Sequence, residues 1–156
     1  MKAVIQRVKG ASVKVGTDIV GEISDGYLVL LGVMKGDTEE EMQLLAKKTV
    51  ELRIFSDEND KMNLSIKDID GEILVVSQFT LCADVTHGRR PSFTPSAAAN
   101  EANDLYEKFV SQLKSLGIKK VATGKFGADM KVELINDGPV TIIFNTDEWI
   151  KKGDKK

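Results

Sequence analysis

The stretch Tyr27-Leu28-Val29-Leu30-Leu31-Gly32-Val33 is an unbroken apolar run with β-branched members. Its shortness and composition suit a strand buried on both faces rather than a helix. Gly36-Asp37-Thr38 punctuates the chain after it, and Thr38 with Glu41 forms a capping-box pair. Met42, Leu45, Ala46 and Thr49 then recur at helical spacing, which predicts a helix over 38–50. Upstream, Lys2 to Val8 alternates imperfectly and Ala11 to Val15 alternates well. These read as two strands, followed by a turn at Gly16 and Asp18 before Ile19-Val20. Downstream, Leu52-Arg53-Ile54-Phe55 reads as a strand, as does Ile73-Leu74-Val75-Val76, which turns polar at Ser77-Gln78. A loop over 82–95 precedes a second helix opening at Pro95-Ser96. Its apolar stripe is Ala98, Ala102, Leu105, Phe109, Leu113 and Leu116, and Gly117 is its stop. Strands near 119–123, 130–136 and 140–145 complete the pattern. The fold class is α+β: a curved, mainly antiparallel sheet or half-barrel with two packed helices.

The 156 residues form one domain over 1–149, and the Lys-rich tail 150–156 is expected to fray. With 42% apolar and 29% charged residues, the composition is that of a globular chain and excludes a disordered one. The opening Met1-Lys2-Ala3-Val4-Ile5-Gln6-Arg7 holds no long apolar run, so a cytoplasmic protein without membrane association is expected. A net charge of −2 does not advertise nucleic acid, yet phosphates are contacted by patches. Arg89-Arg90, Lys119-Lys120, Lys125 and the tail lysines are the candidates, each with ordinary solvation as its alternative.

Few side chains offer strong chemistry. Cys82, the sole cysteine, rules out an intramolecular disulfide and reads as a small core residue. His87, the sole histidine, would have to serve as the only imidazole base of any Ser-His-Asp arrangement. Two segments stand apart. Ser77-Gln78-Phe79-Thr80-Leu81 crowds polar groups and an aromatic at the end of a hydrophobic strand, although capped hydroxyls alone would explain it. Asn136-Asp137-Gly138-Pro139-Val140-Thr141 reads as a turn joining two strands, and it exposes carbonyl oxygens without side-chain bulk. The isomer of its X–Pro bond is open at this level.

Together these segments resemble the SQxxL and NxGPxT motifs of the D-aminoacyl-tRNA deacylase family. Ala3-Val4-Ile5-Gln6-Arg7-Val8, Leu52-Arg53-Ile54-Phe55, Lys61-Met62-Asn63-Leu64-Ser65, Gly88-Arg89-Arg90-Pro91-Ser92-Phe93 and Phe126-Gly127-Ala128-Asp129-Met130 extend the likeness to about residue 145. The resemblance implies an esterase acting on D-aminoacyl-tRNA, and on glycine carried by tRNA, as chiral proofreading in translation. It implies a homodimer in which Gly138 and Pro139, joined by a cis bond, act in the partner's site and exclude L substrates. Ser77, Gln78, Phe79 and Thr80 are the implied catalytic segment. Backbone N–H groups near Phe79 and Thr80 would form an oxyanion hole, with Thr80 as a covalent nucleophile the rival. Arg7 would hold the Gly-Pro segment, and Met130 with Phe79 would line the pocket for the terminal adenosine. No cofactor or metal is implied. Cys82 stands where relatives commonly carry an aromatic. Two alternatives remain open: a non-catalytic nucleic-acid-binding protein on the same fold, and a hydrolase of other activated esters.

Overall fold

The computed structural model describes residues 1–150. The tail reading therefore lies almost wholly outside the described residues. The elements, in order, are β1 (Lys2–Val15), β2 (Asp18–Ile23), β3 (Gly26–Gly32), α1 (Glu39–Glu51), β4 (Arg53–Ser56), β5 (Met62–Ser65) and β6 (Glu72–Ser77). A 3-10 turn (Phe79–Cys82), α2 (Ala99–Ser115), β7 (Val121–Thr123) and β8 (Lys131–Asn145) follow. The main sheet runs β2-β1-β3-β6-β7, with β8 also paired to β1. Pairings of β1 with β2, β3 and β8 are antiparallel, whereas β6 lies parallel to both β3 and β7. The α+β reading holds: the sheet is mixed, antiparallel around β1 and parallel on both sides of β6. Each helix lies between two parallel neighbours in the chain, because parallel strands need a long crossover.

The sheet curls around its own concave face. Val8, Ala11 and Val13 of β1, Ile23, Leu28, Leu74 and Val76 form one interior cluster, with Met130, Val132 and Leu134 packed against it. The convex face carries the larger core, where Ile5, Tyr27, Val29, Ile73 and Val75 meet Leu45 and Ala46 of α1 and Phe109 and Leu113 of α2. Burial of Tyr27, Leu28, Val29 and Leu31, with Leu30 partly buried, follows from this two-sided packing.

Helix α1 starts as its sequence predicts. Glu40 N–H donates to Thr38 Oγ1, and Thr38 N–H donates to Glu41 Oε2 at 2.7 Å. Helix α2 begins later than predicted, at Ala99, and Ala98 is its exposed N-cap, outside the stripe. Gly117 at φ +102° ends it, with Ile118 N–H donating back to Leu113 O.

Two further sequence readings change. Residues 2–15 are one strand whose buried positions switch from Ala3 and Ile5, toward the helices, to Val8, Ala11 and Val13, toward the interior. Register shifts between Gln6 and Val8 and between Val8 and Gly10 mark the switch. The Gly-Pro segment, likewise, is no turn between two strands. Both flanks belong to β8 and pair with the same strand: Gln6 faces Thr141, and Val8 faces Asn136. Residues 137–140 therefore form a four-residue bulge opposite Arg7, with Gly138 and Pro139 exposed and Val140 buried against the core.

Candidate active site

Where β6 ends, the chain leaves the sheet at Gln78 and coils into the 3-10 turn. Gln78 N–H still donates to Leu31 O at 2.8 Å, which ties the turn to the end of β3. Gly32 makes the fit possible. A Cβ there would lie 3.1 Å from both Leu81 Cβ and Cys82 Sγ, and 3.2 Å from Gln78 O. Cys82 is buried beneath the turn, its thiol donating to Val33 O at 3.4 Å, and burial raises its pKa above the usual value. That is the environment of a core thiol, as its sequence position suggests.

A cleft of about 490 Å³ opens beside the turn. Its wall includes Ser77, Gln78 and Phe79, the start of α2 at Ala99 and Ala102, and the segment from Phe126 to Met130. Apolar surface with a few polar groups at one side is the usual lining of a small-molecule site. Phe79 is 54% exposed and meets the edge of Phe93, ring centroids 5.0 Å apart. Tyr106 supports the far wall: its hydroxyl donates to Val75 O at 2.8 Å, and its ring centroid lies 6.0 Å from that of Phe126. Burial pushes the Tyr106 phenol up to about 12, so it stays protonated and structural at neutral pH.

The main-chain N–H groups of Phe79 and Thr80 head the 3-10 turn and have no acceptor among the described residues. Such first-turn donors are free for a ligand oxygen. Thr80 itself is not among the residues lining the cleft, and its hydroxyl accepts a hydrogen bond from the Gln78 side-chain amide. An amide donor cannot remove the hydroxyl proton, and no other hydrogen-bond partner of that hydroxyl is found among the described residues. Among the lining residues the only carboxylate is Asp129, exposed and ion-paired with Lys131 at 3.3 Å.

Polar side chains at the base of the β8 bulge hold it. Arg7, whose side chain is 11% exposed, donates from Nε to Asp137 O at 3.0 Å and from Nη1 to Ile54 O at 2.7 Å. Asn136 spans the base: its Oδ1 accepts from Val140 N–H at 3.1 Å, and its Nδ2 donates to Thr141 Oγ1 at 3.0 Å. The Gly138–Pro139 bond is cis and both residues are exposed. Gly138 has φ +130°, and a Cβ there would come within 2.8 Å of Val140 Cγ2 and 3.0 Å of Arg7 Nη2.

The two motifs do not meet within one chain. Ser77 pairs with Leu31 and Leu31 with Ala3, whereas the bulge sits opposite Arg7, level with Tyr27. Four positions along β1 separate the two levels, about 13 Å, and strands β3 and β1 lie between β6 and β8. Ser77, Gln78, Phe79 and Met130 come together; Arg7, Gly138 and Pro139 form a second group, and neither Gly138 nor Pro139 lines the cleft. Sequence reasoning misses the anchoring roles of Asn136 and Thr141, the space reserved by Gly32, and the Phe93 and Tyr106 supports. The Asn-x-Gly-Pro-x-Thr frame does carry a signal for the first two, since an Asn beside a turn commonly bonds nearby backbone. Of the cationic candidates, Lys119 and Lys120 are engaged by Asp70 and Glu72, at 3.2 Å and 3.8 Å.

Comparison with known proteins places this geometry. The model of the family described as D-Tyr-tRNA(Tyr) deacylase matches residues 4–145. The chain belongs to this family. A D-aminoacyl-tRNA deacylase of Dictyoglomus turgidum is 56% identical over 156 residues, covering all of this chain and 99% of that one. A solved structure titled c-Myc DNA Unwinding Element Binding Protein is 42% identical, with a TM-score of 0.88 over 93% of this chain and 98% of that one. The structure of a probable eukaryotic D-amino acid tRNA deacylase shares the fold, with a TM-score of 0.81 at 17% identity over 92% of this chain and 97% of that one. The deacylase family is one of hydrolases, and the cleft beside the 3-10 turn is the natural place to look for its chemistry.

Proposed function

We propose that this chain is a D-aminoacyl-tRNA deacylase, which hydrolyses the ester between a D-amino acid and the terminal ribose of tRNA. The observation that carries the reading is the pair of free N–H groups at Phe79 and Thr80, at the head of a turn whose Phe79 lines an apolar cleft, in a chain of the deacylase family. Water adds to the ester carbonyl, the developing oxyanion accepts from those two N–H groups, and the acyl–oxygen bond breaks as the ribose oxygen regains a proton. Preorganised donors of this kind contribute about 10²–10³ in rate each. The terminal adenosine rests against Phe79 and Met130, since exposed aromatic and apolar groups suit an unstacked base. Gln78 holds the Thr80 hydroxyl and orients the acceptor end, and Ser77 closes the strand beneath it.

Chirality is read by exclusion. Gly138 and Pro139 of a second copy enter the cleft and offer carbonyl oxygens to the substrate ammonium. With ammonium and ester fixed, an L side chain meets that backbone, a D side chain points to open space, and glycine passes. Steric rejection discriminates more strongly than a few apolar contacts, which are worth about 1–3 kcal/mol. The separation of the two motifs within one chain supports a homodimer, and the anchoring of the bulge at both ends, by Arg7 at Asp137 and by Asn136 at Val140, supports a rigid selector. Such an enzyme serves chiral proofreading in the cytoplasm.

Incubation with D-aminoacyl-, L-aminoacyl- and glycyl-tRNA, following amino-acid release, tests the reading. D and glycyl substrates should be cleaved; equal cleavage of the L form, or none of any, refutes it. Thr80→Ala, which keeps the N–H, should retain most turnover, and near-complete loss in a folded variant would establish the hydroxyl as nucleophile. Sedimentation should give a dimer; an active monomer contradicts action across subunits. One observation favours a second reading, non-catalytic nucleic-acid binding: the 42% identical structure is titled as a DNA-element-binding protein. Duplex binding without ester cleavage in the same assay would support it.

A further inference from the structure

The loop between the first two cleft-lining segments leaves the 3-10 turn after Cys82 and returns at Phe93. It is closed by paired main-chain bonds, Asp84 N–H to Ser92 O at 2.7 Å and Ser92 N–H to Asp84 O at 2.9 Å. A turn in which Thr86 donates to Asp84 Oδ1 through both N–H and hydroxyl, at 2.9 Å and 2.6 Å, stiffens its first half. Arg89 and Arg90 sit on its second half, both exposed and neither in an ion pair or hydrogen bond among the described residues. Arg90 is two residues from Ser92, so its Cα lies within about 7–8 Å of the closing pair. Ser92 precedes Phe93, the ring that braces Phe79 at the cleft wall. The nearest carboxylate in sequence, Asp84, is held by Thr86 rather than by either guanidinium, and its pKa is lowered by those hydrogen bonds.

We propose that the 84–92 loop is a phosphate clamp for the single-stranded 3′ end of the tRNA, with Arg89 and Arg90 as its two contacts. This rests on the deacylase reading. Because the loop runs into Phe93, whose ring packs against Phe79, a base resting on Phe79 brings its neighbouring phosphates to the side of the cleft where the loop stands. Two unneutralised, fork-shaped cations on a closed loop meet them without first breaking an existing ion pair. An aromatic platform beside free cations is the general arrangement for single-stranded nucleic acid. In a chain of net charge −2, this local pair supplies attraction that the whole molecule does not.

The experiment measures kcat/KM on D-aminoacyl-tRNA against salt for the wild type, R89Q/R90Q, R89K/R90K, and K47Q/K67Q as a charge-matched change on another face. Two single-strand phosphate contacts contribute about 1.4 to the logarithmic salt slope, so raising salt from about 50 to about 200 mM should cost the wild type about sevenfold more than R89Q/R90Q. R89K/R90K should keep most of the slope, and K47Q/K67Q should match the wild type. An unchanged slope in R89Q/R90Q, or an equal loss in K47Q/K67Q, overturns the clamp while leaving the deacylase reading intact. Failure of the wild type to cleave D-aminoacyl-tRNA at all sinks that reading first, and the clamp with it.

Discussion

Replacing Arg7 tests whether the bulge is a rigid selector. Its guanidinium serves two main-chain acceptors at once, Asp137 O in the bulge and Ile54 O on β4, from a largely buried position. Charged hydrogen bonds of this kind contribute about 1.5–3 kcal/mol each at most, and their partial exposure brings the pair to about 3 kcal/mol. At about 2–4 °C per kcal/mol for a chain of this size, Arg7→Ala should lower Tm by about 6–12 °C. Arg7→Lys keeps the charge but reaches one acceptor at a time, so it should lose about half as much. Selectivity should move in the same order. Freed from Arg7, residues 137–140 sample other positions, and the ratio of D to L cleavage falls more for Ala than for Lys. Thermal unfolding and the two-enantiomer tRNA assay read both quantities. A Tm within about 1 °C of wild type would refute the energetic argument. Loss of Tm with an unchanged D-to-L ratio would refute the link from anchoring to selectivity.

Other outcomes follow from other parts of the cleft and surface. A Cβ on Gly124 would lie 2.6 Å from Met130 Sδ, the mobile end of a flexible side chain, so Gly124→Ala should push Met130 into the cleft. Its signature is a raised KM for tRNA with little change in Tm. His87→Ala should leave kcat and its pH dependence unaltered, because the sole imidazole lies on the exposed loop and not in the cleft wall; a displaced pH profile would contradict main-chain catalysis. Asp57, Asp68 and Asp84 accept bonds that lower their folded pKa values, chiefly from Lys61 N–H, Ser65 N–H and Thr86 respectively. A lowered folded value contributes stability that is complete above the unfolded value, near about pH 4, and is lost as pH falls through the folded one. Tm measured below about pH 4 should therefore decline less steeply in D57N/D68N than in the wild type, and parallel curves would refute the assignment.

Local rules carry much of this fold. Thr38 and Glu41 mark the start of α1 because a capping box satisfies its bonds within four residues. Gly117 marks the end of α2, and the change from Val76 to Ser77 marks the end of β6, for equally local reasons. What escapes a reading of the sequence is decided by partners distant along the chain. The alternation in residues 2–15 looks broken because β1 changes which face it buries, and the cause lies in its pairing with β8 more than 120 positions away. The Gly-Pro segment looks like a turn because nothing near it shows that both flanks pair with one strand. Parallel pairing of β6 is also hidden, although the alternation of strands and helices points that way. At the site, the motif residues are legible by type, whereas the supports beneath them, Gly32, Phe93 and Tyr106, depend on close approach in space.

The free N–H groups at the head of the 3-10 turn bear on how such a protein can be altered. Every residue except proline carries the same amide, so substitutions at Phe79 and Thr80 change shape and contacts while the donors persist. If those donors perform the chemistry, scanning side chains one by one will find residues that hold substrate and none that reacts with it. Disabling variants would instead lie where the backbone is steered, at Gly32 and in the anchors of Gln78. Durable activity under a wide spread of mutations is the expected phenotype of a reaction centre that the genetic code cannot easily delete.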